Sequence, residues 1–272
     1  MPNRILLTGA AGIVGTALRP ILRTQYEQLI LTDLRTPKDL GENESFSPCD
    51  ITDLAELKEI ARGVDGIVHL AGLVGADYCF DEVFHPNIVG THNIYRAAFD
   101  CGIPNVVYAS SHHAVGFMKR GTAINDQTAH RPDSAYGLSK AFGESAGAYF
   151  ADKFGLNVLA IRIGYVGDTV ADERRLHTWI SARDLVQLIQ IGLGNKDLRY
   201  EVVYGVSNNP DPFFDNSNAA RLGYRPQDRA LDHVTNSEAV NTPKPQDTIA
   251  GACVGGGFAA VGYQGNPQRT LR

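Results

Sequence analysis

Ile5-Leu6-Leu7-Thr8-Gly9-Ala10-Ala11-Gly12-Ile13-Val14-Gly15 opens the chain and decides its fold. A short apolar run passes through glycines spaced G-x-x-G-x-x-G into an amphipathic stretch reaching Thr24. A strand turning sharply into a helix in this way brings backbone N–H groups against a pyrophosphate, at the positive end of the helix dipole. Glycine is required because a Cβ would block the approach. Gly9, Ala11, Gly12, Ile13 and Gly15 are therefore the first candidate cofactor contacts. A glycine turn can also be purely structural, so its surroundings decide.

Working outward, the first 165 residues alternate short apolar runs with amphipathic stretches, the pattern of βαβ units. The runs predict strands at Arg4–Thr8, Leu29–Asp33, Gly66–Leu70, Asn105–Ala109 and Asn157–Ile163, with helices at Gly12–Thr24, Leu54–Arg62, Asn87–Cys101 and Ser134–Phe154. Strands that read as continuous apolar runs belong to a parallel sheet covered on both faces. The expected fold class is α/β, a Rossmann-like doubly wound parallel sheet. Beyond residue 165 the rhythm weakens to a helix at Ala182–Gly192, a strand at Glu201–Tyr204 and a short piece at Asn216–Leu222; the last 45 residues carry almost no periodicity. Residues 1–165 are thus expected to form the cofactor-binding domain, and 166–272 a small C-terminal substrate lobe packed on it.

Composition narrows the partners. The 272 residues carry 25 basic and 30 acidic side chains, a net charge of -5, with no basic block to neutralise a row of phosphates. Nucleic acid is excluded on this reading. The longest apolar runs, such as Leu156–Ile163, are far shorter than the roughly 20 residues of a membrane span. No signal-peptide pattern precedes the glycine loop, so a cytoplasmic protein is expected. Cys49, Cys79, Cys101 and Cys253 are widely spaced and suggest neither a disulfide framework nor a zinc site.

Asp33 closes the second predicted strand, where a carboxylate can accept hydrogen bonds from both hydroxyls of an adenine ribose. It would repel a 2′-phosphate, which favours NAD over NADP, although Arg35 lies close by. Asp50-Ile51 follows the next strand position, where an acidic residue can meet the adenine amino group; Asp50 reads equally well as a helix cap before Leu54.

Ser110-Ser111 ends the Asn105–Ala109 run, and Tyr136-Gly137-Leu138-Ser139-Lys140 opens a helix. Tyr136 and Lys140 are four residues apart and share one helix face. A phenol with a pKa near 10 is a poor base at neutral pH, and a nearby ammonium stabilises its anion.

These residues carry a family resemblance. Thr8-Gly9-x-x-Gly12-x-x-Gly15, Asp33, Asp50, Leu70-Ala71-Gly72, Asn87, Ser111 and Tyr136-x-x-x-Lys140 resemble the extended short-chain dehydrogenase/reductases. Within that superfamily the chain is similar to the uronate dehydrogenases through Ala109-Ser110-Ser111-His112-His113, Arg131–Lys140, Arg162-Ile163-Gly164, Arg174–Trp179 and Asp215-Asn216. The resemblance implies oxidation at C1 of a cyclic sugar acid to its lactone, with hydride passing to NAD. It makes Tyr136 the base, gives Lys140 the tuning of that base and the nicotinamide ribose, and has Ser111 orient the reacting oxygen. It adds Ile51, Leu70, Ala71, Gly72 and Asn87 to the cofactor contacts, sets His113 on sugar hydroxyls and Arg174 on the C6 carboxylate. No metal is implied, and a homo-oligomer is expected by analogy.

Two positions depart from the family pattern. His112 stands where an asparagine is usual, and Tyr165 where a serine helps hold the carboxylate. Both fall in the expected substrate shell. A cation at 112 and a larger side chain at 165 would suit another anionic group at C6, such as phosphate or sulfonate. Nucleotide-sugar epimerases and dehydratases share the cofactor loop and Tyr/Lys pair, but about 107 residues after Tyr165 suit a monosaccharide better than a nucleotide sugar. A non-catalytic NAD sensor is the third reading, and intact Ser111, Tyr136 and Lys140 argue against it.

Overall fold

In the computed structural model, which describes residues 3–242 and 245–271, the apolar runs become a seven-stranded parallel sheet. Its strands are β1 (Arg4–Thr8), β2 (Gln28–Thr32), β3 (Glu44–Phe46), β4 (Gly66–His69), β5 (Asn105–Ser111), β6 (Asn157–Ile163) and, after a small parallel pair of β7 (Tyr165–Val166) and β8 (Trp179–Ile180), β9 (Tyr200–Gly205). The spatial order is β3-β2-β1-β4-β5-β6-β9. The order reverses between β1 and β4, and open α/β sheets bind ligands at such a switch point, beyond the strands' C-terminal ends.

Side chains alternating along β1 feed two cores. Ile5 and Leu7 pack with α1 (Ile13–Leu22) and α7 (Ala182–Gly194), whereas Leu6 packs on the other face with α2 (Leu54–Ala61), α4 (Gly90–Asp100) and α5 (Ala135–Phe154). Burial of both faces is why these strands read as unbroken apolar runs. Among the described residues, no helix is long and apolar enough to cross a membrane.

Three features differ from the sequence reading. β3 is only three residues long, and its buried Glu44 is answered by Arg19, Nη2 to Oε2 at 2.7 Å, so no apolar run marks it. The helix expected to begin at Asn87 begins earlier, as α3 (Phe80–Val83) and a π-helical turn Phe84–Val89 that contains Asn87 and runs into α4. Residues 182–205, assigned from sequence to the second lobe, supply α7 and the edge strand β9 of the sheet itself.

Candidate active site

The glycine loop closes against the turn after β4. Gly9 has a φ of +69°, and a Cβ on it would lie 2.6 Å from the Ala71 amide nitrogen. Gly15 is packed as closely, since a Cβ there would meet the Gly9 carbonyl oxygen at 2.5 Å. Thr8 Oγ1 accepts from the Ala71 amide, and a chain of buried side chains continues through His69 to Thr91. Burial and the charge of Lys140 hold the His69 imidazole down at about 3, so it stays neutral.

A cleft of about 390 Å³ opens above this loop. It brings together Gly9, Gly12, Ile13, Gly15, Leu70, Gly72, Ser111, Tyr136, Lys140 and Tyr165, with Val14, Leu73, Val74 and Val166 besides. Ile13 and Val74 are 81% and 62% exposed, an apolar rim that a flat ring would cover. No side chain caps the N-terminus of α1, which leaves its first N–H groups for a pyrophosphate. Asp33 lies beside the loop: Oδ2 accepts from the Ala11 amide at 3.0 Å and Oδ1 from Arg35, with lone pairs left for ribose hydroxyls. These residues fit a dinucleotide.

Other expected contacts act from behind. Asn87 accepts from the Leu73 amide and donates to the Leu73 carbonyl and to Ser139 Oγ, which ties the cleft's rim to α5. The Ile51 side chain is buried against Gly90, in the core rather than the cleft. Asp50 accepts from Thr52 in a local turn; the cap of α2 is Asp53.

The helix α5 presents Tyr136 and Lys140. Ser134 caps it, Oγ accepting from the Gly137 amide at 3.0 Å, and Gly155 at φ +77° ends it. One turn below Lys140, buried Glu144 accepts from Ser110, His130 and Arg162, fastening the helix to β5 and β6. The Lys140 ammonium lies 5.6 Å from the Tyr136 ring centroid and 5.1 Å from that of Tyr108. Burial dominates both groups: it pushes the Tyr136 phenol up to about 12, against a hydrogen bond from Ser111, and the Lys140 amine down to about 8. The phenol is set by its own desolvation rather than by the lowering expected from Lys140.

The 3-10 turn His112–Val115 follows β5 directly. His113 Nδ1 meets Asp133 Oδ2 at 2.7 Å, while Phe258 stacks on the His113 ring at 3.9 Å and stands edge-on to Tyr136 at 6.3 Å. Burial and the Arg174 charge hold His113 well below its usual range, so the imidazole is neutral. His112 is neutral too, for burial first and the neighbouring His113 and Arg174 second, and the cation expected at 112 is absent. Arg174, near the start of α6 (Glu173–Thr178), lines a cavity of about 260 Å³ with Gly256, Gly257 and Phe258. Its neighbours are otherwise engaged: Asp172 with Arg175, Glu173 with Arg120 and His177. No carboxylate pairs with Arg174 among the described residues, and burial lowers its pKa. The Tyr165 ring faces the cofactor cleft with the Arg175 guanidinium 4.4 Å above it.

Asp133 and Phe258 are site residues that the sequence reading does not single out. Asp133 lies inside the quoted Arg131–Lys140 segment, three residues before Tyr136, and that proximity was its available signal. Phe258 sits in a glycine-rich stretch without periodicity, and nothing local marks it.

The NAD dependent epimerase/dehydratase family model matches residues 5–166. The uronate dehydrogenase of Pseudomonas putida is 38% identical over 261 residues, 96% of this chain and 97% of that protein. Among solved structures, glucuronic acid dehydrogenase from Chromohalobacter salexigens superposes with a TM-score of 0.89 at 35% identity, covering 98% of this chain and 99% of that one. A mutant of the uronate dehydrogenase from Agrobacterium tumefaciens, complexed with NAD, gives 0.87 at 36% identity, covering 95% and 97%. The chain is a member of the NAD dependent epimerase/dehydratase family, an NAD-dependent extended short-chain dehydrogenase/reductase that belongs with the uronate dehydrogenases.

Proposed function

We propose that this enzyme oxidises the C1 hydroxyl of a cyclic hexuronate, such as galacturonate or glucuronate, to the aldono-lactone. One observation carries the reading: Arg174 is a largely buried guanidinium without a carboxylate partner among the described residues, at the wall of a cavity that Phe258, edge-on to Tyr136, also lines. A buried unpaired charge is costly and is retained where a ligand completes it. A carboxylate does so through charge-assisted hydrogen bonds.

Bound NAD supplies the hydride acceptor. Tyr136 takes the proton from the C1 hydroxyl, and Ser111, hydrogen-bonded to the same phenol, orients that oxygen. Lys140 stabilises the phenolate form from which Tyr136 accepts that proton, the transfer returning the side chain to the phenol, and would meet the nicotinamide ribose. His113, its Nδ1 proton donated to Asp133, offers Nε2 as an acceptor to a sugar hydroxyl. Phe258 covers the His113 ring and excludes water from that side. Asp33 selects NAD by repelling a 2′-phosphate.

The four cysteines are free thiols, consistent with a reducing cytoplasm. Phe99 on α4 and Tyr149 on α5 are 42% and 48% exposed, and we place a dimer contact on that helix pair. The substrate reading is tested by Arg174→Ala: the loss should fall on acidic sugars far more than on neutral aldoses, and equal losses would refute an anion site.

A further inference from the structure

The sequence sets His112 among the substrate contacts, yet in the structure it stands behind one. Its Nε2 lies 2.9 Å from Arg174 Nη1, and its Nδ1 lies 3.0 Å from the Ile163 carbonyl at the end of β6. A guanidinium has only donors and a carbonyl only accepts. The protons are thereby placed: Arg174 donates to Nε2, and Nδ1–H donates to Ile163. The other Nη1 proton goes to the Val254 carbonyl at 3.2 Å. Two protons meet two acceptors, and Nη1 is saturated. Nε and Nη2 make no hydrogen bond among the described residues, and Arg174 lines the cavity bounded by Gly256, Gly257 and Phe258.

Resting on the hexuronate reading above, we propose that His112 is the positioning residue of the anion site: by engaging Nη1 it presents the Nε and Nη2 edge of Arg174 to the two oxygens of the substrate carboxylate. That edge carries two near-parallel N–H bonds, which match a planar carboxylate. An asparagine is too short to reach from the turn after β5 to both Arg174 and Ile163 as this imidazole does; a glutamine is longer, and its amide supplies the same acceptor and donor.

The test compares the wild type with His112→Phe and His112→Gln, using galacturonate and NAD. His112→Phe should raise KM for galacturonate about tenfold, with a much smaller change in kcat and KM for NAD within about twofold; His112→Gln should restore most of the loss. The independent readout is the ¹⁵N spectrum of His112, which should show a neutral Nδ1–H ring whose Nε2 signal moves in Arg174→Ala. If His112→Phe does not fold, that spectrum decides, and an unmoved Nε2 signal overturns the proposal. A wild-type enzyme that oxidises no hexuronate overturns the functional reading. An enzyme that oxidises hexuronates, but whose His112→Phe form keeps its KM for galacturonate or loses kcat and KM for NAD in proportion, overturns this inference alone.

Discussion

Asp133 Oδ2 lies 2.7 Å from His113 Nδ1, and the same carboxyl accepts the Ser134 hydroxyl at 2.9 Å. Ser134 is the N-cap of the helix that carries Tyr136 and Lys140. One buried carboxyl thus holds the His113 imidazole and steadies the start of the helix that carries Tyr136 and Lys140. Its own space is tight: a Cβ on Gly116 or on Gly255 would lie 1.9 Å from Asp133 Oδ2.

Replacing this carboxyl with an amide removes its charge and leaves one acceptor oxygen where two are used, by His113 Nδ1–H and by the Ser134 hydroxyl. Asp133→Asn should lower kcat/KM for the acid substrate about ten- to hundredfold, the range expected for a hydrogen bond to a charged group, with NAD affinity retained. Burial pushes the Asp133 carboxyl up to about 6, against the Ser134 hydrogen bond and the nearby positive groups. As pH falls through that value the carboxyl takes up a proton, and the hydrogen bond from Nδ1–H loses the charge that strengthens it. The wild-type kcat/KM profile should therefore decline below about pH 6, and Asp133→Asn should lack that limb.

Tyr136→Phe keeps the ring that packs near Lys140 but deletes the proton acceptor. Turnover should drop by about 10²–10⁴-fold, the contribution of a general base. Fluorescence or calorimetric titration should show NAD binding nearly as before, and near-normal turnover would dismiss Tyr136 as the base.

Glu144 anchors α5 through a buried pair with Arg162, Oε2 to Nη2 at 2.8 Å. Burial works against the charged carboxylate, but hydrogen bonds from His130, Arg162 and Ser110 outweigh it and bring the pKa from 4.5 to about 2. A carboxyl with a lower pKa folded than unfolded adds stability that is complete above the unfolded value and is lost as pH falls through the folded one. The predicted window of loss is therefore pH 4.5 down to about 2, with a contribution on the order of 3 kcal/mol. Glu144→Gln leaves Arg162 uncompensated and should cost about 3–5 kcal/mol in urea unfolding at neutral pH; a change under about 1 kcal/mol would show that the pair is not a strong anchor.

Asp33 is the residue that should discriminate between the two nicotinamide dinucleotides. Asp33→Ser removes the charge facing a 2′-phosphate and leaves Arg35 near it. The ratio of kcat/KM for NADP to that for NAD should rise at least about tenfold. A ratio unmoved by the substitution would place the selection elsewhere.

What the sequence made legible follows from how local each signal is. The glycine loop, the Tyr136/Lys140 spacing and the apolar strands are patterns contained within a few consecutive residues, and each lies where it was expected. Glu44–Phe46 escaped notice because its buried glutamate depends on Arg19, 25 residues earlier. Asp133 pairs with His113 across 20 residues, and Phe258 reaches His113 from the far end of the chain, so neither contact has a local pattern. His112 was legible as a departure, but its role was not, since that is set by Arg174, 62 residues away. The phenol's raised pKa had no local signal for a related reason: the burial that causes it is a property of the whole fold, whereas the spacing shows only the Lys140 charge.

The most direct measurement of the central claim is NADH formation by the wild-type protein with NAD and galacturonate or glucuronate, set against galactose, glucose 6-phosphate and sulfoquinovose, with the product identified by NMR. A hexuronate should give rapid NADH formation with an aldono-lactone as first product, and neutral galactose much weaker activity. Absence of NADH with both hexuronates, or equal kcat/KM for galacturonate and galactose, would contradict that claim.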